Sequence, residues 1–143
     1  MFIGEYNHTI DTKGRLIIPA KLRDGLGERF VVTKGLDGCL SVYAMDEWKL
    51  LEEKIHALPL TNPSARKFSR FILAGAAECE LDKMGRILLP QVLRQAAELT
   101  KDVVLVGVGS RIEIWDRNKW IAASSYEEED MSEVAQNLEG LGI

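Results

Sequence analysis

The sequence predicts a mixed α+β fold, rich in β-structure, in which two copies of one half-domain build a single barrel with helices at its ends. The main observation is an internal repeat: the segment DTKGRLIIP at 11–19 returns as DKMGRILLP at 82–90. The strands, turns and short helices implied by each copy follow the same order, and no low-complexity linker separates the copies. A repeat at a fixed spacing indicates a duplicated structural unit.

Matches outside the repeated motif exclude coincidence. Gly4 aligns with Gly75 at the same offset, and after a one-residue insertion a further set of residues stays in order. That set aligns Val31, Val32, Gly35, Leu40, Val42, Tyr43 and Trp48 with Val103, Val104, Gly107, Ile112, Ile114, Trp115 and Trp120. Two separate domains of about 70 residues would each be marginally stable. We therefore expect one shared core, built from a first repeat with linking helices (1–75) and a second repeat with an acidic, helical C-terminal tail (76–143).

Local signals set the elements of the first repeat. Asp11 and Gly14 stand where a type I turn favours them, and Pro19 suits the first turn of a helix. Asp46 is a residue type that caps helices. The expected elements are a strand over 2–10, a turn over 11–14, a strand from 15 to 18, a helix over 19–25, strands over 30–34 and 39–43, a helix after Asp46 and a second helix from 63 to about 74.

The second repeat is expected to follow the same order. Trp48 and Trp120 fall at matching places and are interpreted as core residues. The expected elements are a strand ending at 81, a strand over 86–89, a helix over 90–99, strands over 103–106 and 111–115, and a helix from about 118. An acidic run at 127–130 precedes a weakly amphipathic tail with Met131, Val134 and Leu138.

Charge and composition limit the possible compartments and partners. The net charge is −4, but the segment 1–71 carries 11 basic against 9 acidic side chains, and the segment 72–143 carries 7 against 13. Because fields are screened beyond about 8 Å at physiological salt, a local basic face can act on an acidic protein. The sequence shows no secretory signal and no apolar run long enough to span a bilayer. With only two cysteines, the expected location is the cytoplasm.

No motif supports an enzyme, a cofactor or a metal ion. The two histidines and two cysteines, His8, His56, Cys39 and Cys79, lack the spacing of metal ligands. Phosphate-binding, dinucleotide-binding and nucleophile-elbow motifs are missing as well. We therefore expect no catalytic residue, no cofactor and no metal site.

The duplicated turn is the strongest candidate for function. Lys13 and Arg15 flank Gly14, where a glycine permits close approach of a phosphate and an arginine can contact a phosphate or a guanine edge. The alternative is a hairpin with solvated charges. Retention of Gly-Arg in both copies favours function, because solvated turn charges drift between copies. Asp11 and Asp82 are interpreted as turn-forming and arginine-orienting residues.

Two other groups of basic residues remain open. Lys21 and Arg23 on the first short helix, with Arg94 matching Arg23, could extend a basic face or could be solvated. The second group, on the helix from residue 63, is interpreted as a solvated polar face and consists of Arg66, Lys67 and Arg70.

The paired motifs, together with the opening Gly4-Glu5-Tyr6, make the chain resemble the MraZ family of bacterial transcriptional regulators over residues 2–120. Such proteins look like fused pairs of the AbrB/SpoVT swapped-hairpin half. The resemblance implies a pseudo-two-fold, swapped-hairpin, double-psi-like barrel formed by one chain. It also implies a sequence-specific regulator in the nucleoid that binds double-stranded DNA at the promoter of the division and cell-wall gene cluster that includes its own gene. The resemblance also implies ring-shaped homo-oligomers that bind short direct repeats in that promoter.

Carried over by motif, the resemblance assigns DNA contacts to Lys13, Gly14 and Arg15 in the first copy, and to Gly85 and Arg86 in the second. Met84 stands where Lys13 stands, and Lys83 is shifted to the place of Thr12. Whether the second turn contacts DNA as the first does is therefore left open. An antitoxin-like protein that binds a protein partner through its C-terminal tail is the alternative function.

Overall fold

The structure is a computed structural model and describes residues 1–126 and 131–142. It confirms a mixed α+β fold in two repeats, with mostly antiparallel strands and flanking helices. The strands are β1 (Phe2–Thr9), β2 (Arg15–Ile17), β3 (Arg29–Lys34), β4 (Leu40–Ala44), β5 (Ala77–Glu80), β6 (Arg86–Leu88), β7 (Asp102–Gly109) and β8 (Ile112–Asp116). The helices are α1 (Ala20–Leu26), α2 (Met45–His56), α3 (Pro63–Ser69), a π-helical turn (Arg70–Ala74), α4 (Gln91–Ala96), α5 (Arg117–Ala123) and α6 (Met131–Gln136).

The first strand of each repeat pairs with a strand of the other repeat. β1 is antiparallel to β7, and β5 is antiparallel to β3. The hairpins β3–β4 and β7–β8 join through β4 and β8, so the six-stranded sheet has the order β1-β7-β8-β4-β3-β5. This sheet is open, with β1 and β5 at its edges. The first strand of each repeat is therefore an edge strand on the hairpin of the other repeat.

A second, two-stranded sheet joins the repeats at the duplicated motif. In this β2–β6 ribbon Leu16 lies opposite Ile87, with one further pair on each side. Beyond the ribbon, the N–H of Ile18 donates to the carbonyl of Gly85 at 2.9 Å, and the N–H of Leu89 donates to the carbonyl of Gly14 at 2.9 Å. The two hydrogen bonds are equivalent, so the local symmetry is two-fold.

The strand ladders correct the alignment of β3 with β7. Thr9 pairs with Asp102, and its copy Glu80, 71 residues later, pairs with Arg29, so Arg29 is the equivalent of Asp102 and Phe30 that of Val103. Val31 therefore matches Val104, not the Val103 that sequence alignment suggests. Compared with the first repeat, the second has two more residues before β7 and one fewer in the turn between β7 and β8.

One main hydrophobic cluster contains residues of both repeats. Its fully buried members share the inner face of the six-stranded sheet and the ribbon beneath it; they include Leu16, Ile18, Phe30, Val32, Leu40, Val42, Ile87, Leu89, Val103, Leu105, Ile112 and Ile114. Burial of apolar surface at about 25 cal/mol per Å² makes this cluster the main source of stability. Leu16 and Ile87 anchor the β2–β6 ribbon in this cluster.

Two smaller clusters lie under the flanking helices. Trp48 on α2 packs with Val31, whereas the half-buried Trp120 on α5 packs on Trp115 at a ring-centroid distance of 5.5 Å. The interpretation as a core residue is confirmed for Trp48, which is buried, whereas Trp120 is only partly buried and packs against the edge of its cluster.

Several helix ends differ from the sequence prediction. The first helix continues through Gly25 to Leu26, because Gly27, with φ +79°, takes the conformation that ends it. Asp46 lies inside the first turn of α2, after the N-cap Ala44, so the predicted cap is wrong. The fourth helix is shorter than predicted and spans Gln91–Ala96. The acidic run at 127–130 lies outside the described residues.

Candidate nucleic-acid interface

The first turn is organised by the carboxylate of Asp11. Its Oδ1 accepts hydrogen bonds from the backbone N–H groups of Lys13 and Arg15, both at 2.9 Å. Its Oδ2 accepts from Nε of Arg15 at 2.7 Å. The N–H of Gly14 donates to the backbone carbonyl of Asp11 at 3.0 Å and closes the turn. Asp11 therefore fixes both the backbone of the turn and the direction of the Arg15 side chain.

The second turn repeats this arrangement. Oδ1 of Asp82 accepts from the backbone N–H groups of Met84 at 2.9 Å and Arg86 at 2.8 Å, and Oδ2 accepts from Nε of Arg86 at 2.8 Å. The interpretation of Asp11 and Asp82 as turn-forming, arginine-orienting residues agrees with this geometry. Hydrogen bonds from the backbone N–H of Arg15 and Arg86, followed by those from their side chains, lower the pKa of Asp11 and Asp82. Both carboxylates therefore stay ionised at neutral pH.

The two oriented arginines are partly exposed, and the aspartates engage only their Nε atoms. Each of the two uses Nε for the carboxylate, and no acceptor within residues 1–126 or 131–142 takes a hydrogen bond from their Nη groups. The side chain of Arg15 is 33% exposed and that of Arg86 is 23% exposed. A guanidinium held at Nε with its Nη pair free can donate two parallel hydrogen bonds to a guanine edge or a phosphate.

Arg15 and Arg86 lie on the same exposed face of the ribbon. Arg15 is opposite Leu88, and Arg86 is opposite Ile17. Side chains two residues apart share a face, and diagonal neighbours of an antiparallel pair are about 7–8 Å apart. Leu16 and Ile87 point the other way, into the core. The fold thus brings both predicted arginines onto one surface.

The rest of this face combines apolar and basic side chains. Between the arginines lie two exposed apolar residues, Ile17 (40% exposed) and Leu88 (62% exposed). Lys13 is exposed in the first turn, and Met84, 65% exposed, holds the equivalent position in the second. The two ends of the ribbon are therefore alike in backbone and arginine but differ in one charge.

The two turn glycines are buried, and each lies under an arginine of the other repeat. A Cβ on Gly14 would stand 2.9 Å from Cζ of Arg94, and a Cβ on Gly85 would stand 2.5 Å from Cζ of Arg23. Both glycines also have positive φ, +84° and +76°. The DNA contact predicted for these glycines stays a prediction; the structure shows that the space above each is occupied by a guanidinium.

Sequence reasoning left Arg23 and Arg94 undecided. One feature of the sequence does distinguish these two arginines: each stands four residues after the proline of its repeat. Pro19-Ala-Lys-Leu-Arg23 matches Pro90-Gln-Val-Leu-Arg94. Lys21, two residues earlier, is exposed. The second group of basic residues lies elsewhere, on α3 and the π-helical turn, which pack with α2 over β3. These residues are exposed as predicted; they are Arg66, Lys67 and Arg70.

The described part of the chain has two cysteines, and it offers neither a metal-ligand cluster nor a membrane-spanning helix. It contains no cluster of three or more histidine, cysteine, aspartate or glutamate side chains able to hold a metal ion. None of its helices is long and apolar enough to cross a membrane. Cys39 and Cys79 are buried, and desolvation raises the pKa of their thiols to about 12 and about 11.

The chain matches the family model of the MraZ protein twice, over residues 1–71 and 72–140; the family description also calls it antitoxin-like. It is 61% identical to the "Transcriptional regulator MraZ" of Desulfitobacterium hafniense strain DCB-2 over 143 residues, the whole of both chains. The protein of the same name in Clostridium beijerinckii is 56% identical over 145 residues, again over the whole of both chains. That of Heliobacterium modesticaldum is 61% identical over 133 residues, 90% of this chain and 93% of the relative. The chain therefore belongs to the MraZ family of transcriptional regulators.

Proposed function

We propose that this regulator binds double-stranded DNA through the exposed face of the β2–β6 ribbon and its two turns. The observation that carries the proposal is the pair of oriented guanidiniums, Arg15 and Arg86, on one face of the ribbon. A two-stranded ribbon fits the B-DNA major groove, which is about 12 Å wide, and arginine pairs bidentately with guanine there. Ile17 and Leu88 between the arginines could contact thymine methyl groups.

The two turns have different expected roles. Lys13 is a flexible, exposed cation and suits a phosphate contact, which adds affinity without sequence information. Arg15 and Arg86 are fixed by carboxylates and suit contacts with base edges. Gly14 and Gly85 serve by allowing the turns to adopt their conformation. Because Met84 replaces the lysine in the second turn, the two ends of the ribbon should differ in phosphate binding and resemble each other in base reading.

The partners proposed for the chain are DNA and other copies of itself. A single ribbon neutralises few phosphates, so tight and specific binding requires several ribbons acting together. We propose that the chain forms a ring-shaped homo-oligomer. This ring binds short direct repeats in the promoter of the division and cell-wall gene cluster, which includes the chain's own gene. The place of action is then the nucleoid in the cytoplasm. Light scattering at micromolar concentration tests the assembly, and a monomer would contradict it.

The exchanged strands support a finer description of the fold. β1 and β5 each pair with the other repeat, and β2 and β6 pair with each other, around one cluster of buried residues. We propose that the two sheets together form the swapped-hairpin, double-psi-like barrel typical of AbrB/SpoVT halves. The division into repeats at 75/76 belongs to the same proposal.

The test measures binding isotherms on DNA from upstream of the chain's own gene and on a scrambled sequence, at two salt concentrations. Arg15→Ala and Arg86→Ala should each cost about 1–3 kcal/mol per engaged subunit, mainly on the cognate DNA. Lys13→Ala should weaken both DNAs alike and lower the salt dependence by about one phosphate contact.

Lys49→Ala is the matched control, because Lys49 is exposed on α2, away from the ribbon, and its loss changes the net charge by the same amount. If the wild type prefers no DNA sequence, or if Arg15→Ala and Arg86→Ala bind both DNAs as the wild type does, the proposal fails.

An antitoxin-like function is the second candidate. It is favoured by the exposed apolar residues of the tail, Met131 (45%), Val134 (40%) and Leu138 (37%), which could cover a protein partner. A chain truncated after residue 125 separates the two functions. If truncation leaves DNA binding unchanged but abolishes binding to a purified protein partner, the second candidate is favoured; if binding to that partner is also unchanged, the second candidate is wrong.

A further inference from the structure

The short helices α1 and α4 each carry an arginine that lies against the turn of the other repeat. The guanidinium of Arg94 covers Gly14, and that of Arg23 covers Gly85. Both arginines are half-buried, and both sit one residue after a leucine, Leu22 or Leu93, that anchors the helix in the core. The two contacts are related by the same symmetry as the ribbon, so they are a repeated feature of the fold.

Each guanidinium donates to the carbonyl of the residue whose own N–H bonds to the carbonyl of the covered glycine. Nε of Arg94 donates to the carbonyl of Leu89 at 3.0 Å, and the N–H of Leu89 donates to the carbonyl of Gly14 at 2.9 Å. The second copy has the same chain of contacts: Nε of Arg23 donates to the carbonyl of Ile18 at 2.7 Å, and the N–H of Ile18 donates to the carbonyl of Gly85 at 2.9 Å. Each arginine thus closes a small loop of contacts around one turn.

We infer that Arg23 and Arg94 are positioning residues that act across the repeats. Arg94 holds the first turn, with Lys13 and Arg15, and Arg23 holds the second turn, with Arg86. A larger residue at 14 or 85 would displace these guanidiniums, because a Cβ there would stand 2.9 or 2.5 Å from Cζ. The consequence is that the DNA-binding geometry of each turn depends on a helix from the other half of the chain.

A planar arginine is needed for this role. Nε, Cζ and one Nη of each guanidinium lie within 3.2 Å of the position that a Cβ on the covered glycine would take, while Nε also donates a hydrogen bond. A lysine ammonium offers neither a planar group nor a donor at that position. The identity of the residue, and not its charge alone, should therefore matter. This distinguishes the inference from a general contribution of positive charge to DNA binding.

The first experiment needs no DNA. Amide hydrogen exchange is measured in the full chain for the N–H groups of Leu89 and Ile18, which report the bonds to Gly14 and Gly85. Arg94→Ala should speed exchange at Leu89 by about three- to tenfold, the effect of weakening one hydrogen bond, and should leave Ile18 unchanged. Arg23→Ala should speed exchange at Ile18 by a similar factor and leave Leu89 unchanged. Arg94→Lys should behave as Arg94→Ala.

Three outcomes of the exchange experiment would overturn the inference. They are unchanged exchange at Leu89 in Arg94→Ala, equal acceleration at both amides, and full rescue by Arg94→Lys. Equal acceleration would indicate general destabilisation, and rescue would indicate that only the charge matters. Lys49→Ala is the control for loss of a positive charge.

The second experiment rests on the proposed function and uses double-mutant cycles of DNA affinity. Arg94→Ala should reduce affinity by about three- to tenfold per engaged subunit in the wild type and in Arg86→Ala. In the Lys13→Ala/Arg15→Ala background the same change should cost less than about twofold, since the turn it positions no longer makes contacts. The loss of DNA affinity caused by Arg23→Ala should be smaller in an Arg86→Ala background, and it should be additive with the loss caused by Arg15→Ala.

The cycles separate two kinds of failure. If Arg94→Ala is additive with both turns, Arg94 does not act through the first turn and the inference is wrong, although DNA binding stands. If the wild type binds no DNA, the proposed function fails, and the exchange experiment alone decides whether Arg94 and Arg23 position the turns.

Discussion

Nε of Arg15 lies 2.7 Å from Oδ2 of Asp11, so the turn that presents the arginine also fixes the direction of its side chain. The same carboxylate accepts two backbone hydrogen bonds through Oδ1. Fixing a guanidinium before binding reduces the conformational entropy that is lost when it meets a base or a phosphate. Selectivity should therefore depend on Asp11 although the carboxylate itself contacts no DNA in the proposed arrangement.

Asp11→Asn is expected to preserve the turn and to release Arg15. The amide oxygen can still accept from the backbone, but an amide nitrogen cannot accept from Nε of Arg15. The ratio of cognate to scrambled DNA affinity should fall by roughly three- to tenfold, and binding to scrambled DNA should rise with the added net positive charge. Binding isotherms on both DNAs measure this. Asp24→Asn, the same charge change at an exposed helix position, serves as control, and an equal loss of selectivity there would count against the prediction.

Gly14→Ala should destabilise more than Gly38→Ala. Both glycines have positive φ, +84° and +80°, so each alanine carries a similar backbone strain of about 1–2 kcal/mol. A Cβ at Gly38 meets only Nζ of Lys119 at 3.9 Å, whereas at Gly14 it meets the Arg94 guanidinium. Urea unfolding of the two variants gives the difference in the free energy of unfolding. Equal losses would show that crowding by Arg94 contributes nothing.

A fragment of residues 1–75 should not fold as a monomer. It lacks β7, which pairs with β1, and β5, which pairs with β3. It also lacks half of the main hydrophobic cluster. The fragment should be unfolded or should self-associate to restore both pairings, because alone it buries too little apolar surface to offset its ordering entropy. Circular dichroism and sedimentation check this, and a cooperatively folded monomer would refute the shared core.

The two cysteines should react slowly while the chain is folded. Desolvation raises the pKa of Cys39 to about 12 and that of Cys79 to about 11, so at about pH 8 the reactive thiolate of either is scarce. Iodoacetamide should modify them at a rate limited by opening of the structure, and rapidly in guanidinium chloride. Mass spectrometry over time measures both rates. Fast modification in native buffer would show that these thiols are accessible.

The sequence predicts the order of elements well because that order is locally encoded. Asp11, Gly14 and Pro19 mark a turn, a strand and a helix start by their own conformational preferences, and their copies mark the same elements in the second repeat. Predicted helix ends are less accurate. Gly25 is tolerated inside α1, and the termination is decided by Gly27, whose positive φ a single sequence does not reveal.

The alignment of Val31 with Val103 is wrong for a different reason. The segment around each strand contains consecutive valines, so a shift by one residue preserves the apolar pattern. Only the cross-strand pairs of Thr9 with Asp102 and of its copy Glu80 with Arg29 show that Phe30 in β3 corresponds to Val103 in β7. Register is a property of pairing between distant segments, and local composition does not contain it.

The sequence by itself determined that the chain is duplicated and that Asp11, Lys13 and Arg15, with Asp82 and Arg86 in the second copy, belong to paired motifs. Only the tertiary structure decided that Arg15 and Arg86 share one face of a ribbon and that Arg23 and Arg94 cover the glycines of opposite repeats. The physical reason is that turn chemistry acts over four or five residues, whereas the exchange of strands brings together groups that lie about 60 to 80 residues apart in the chain.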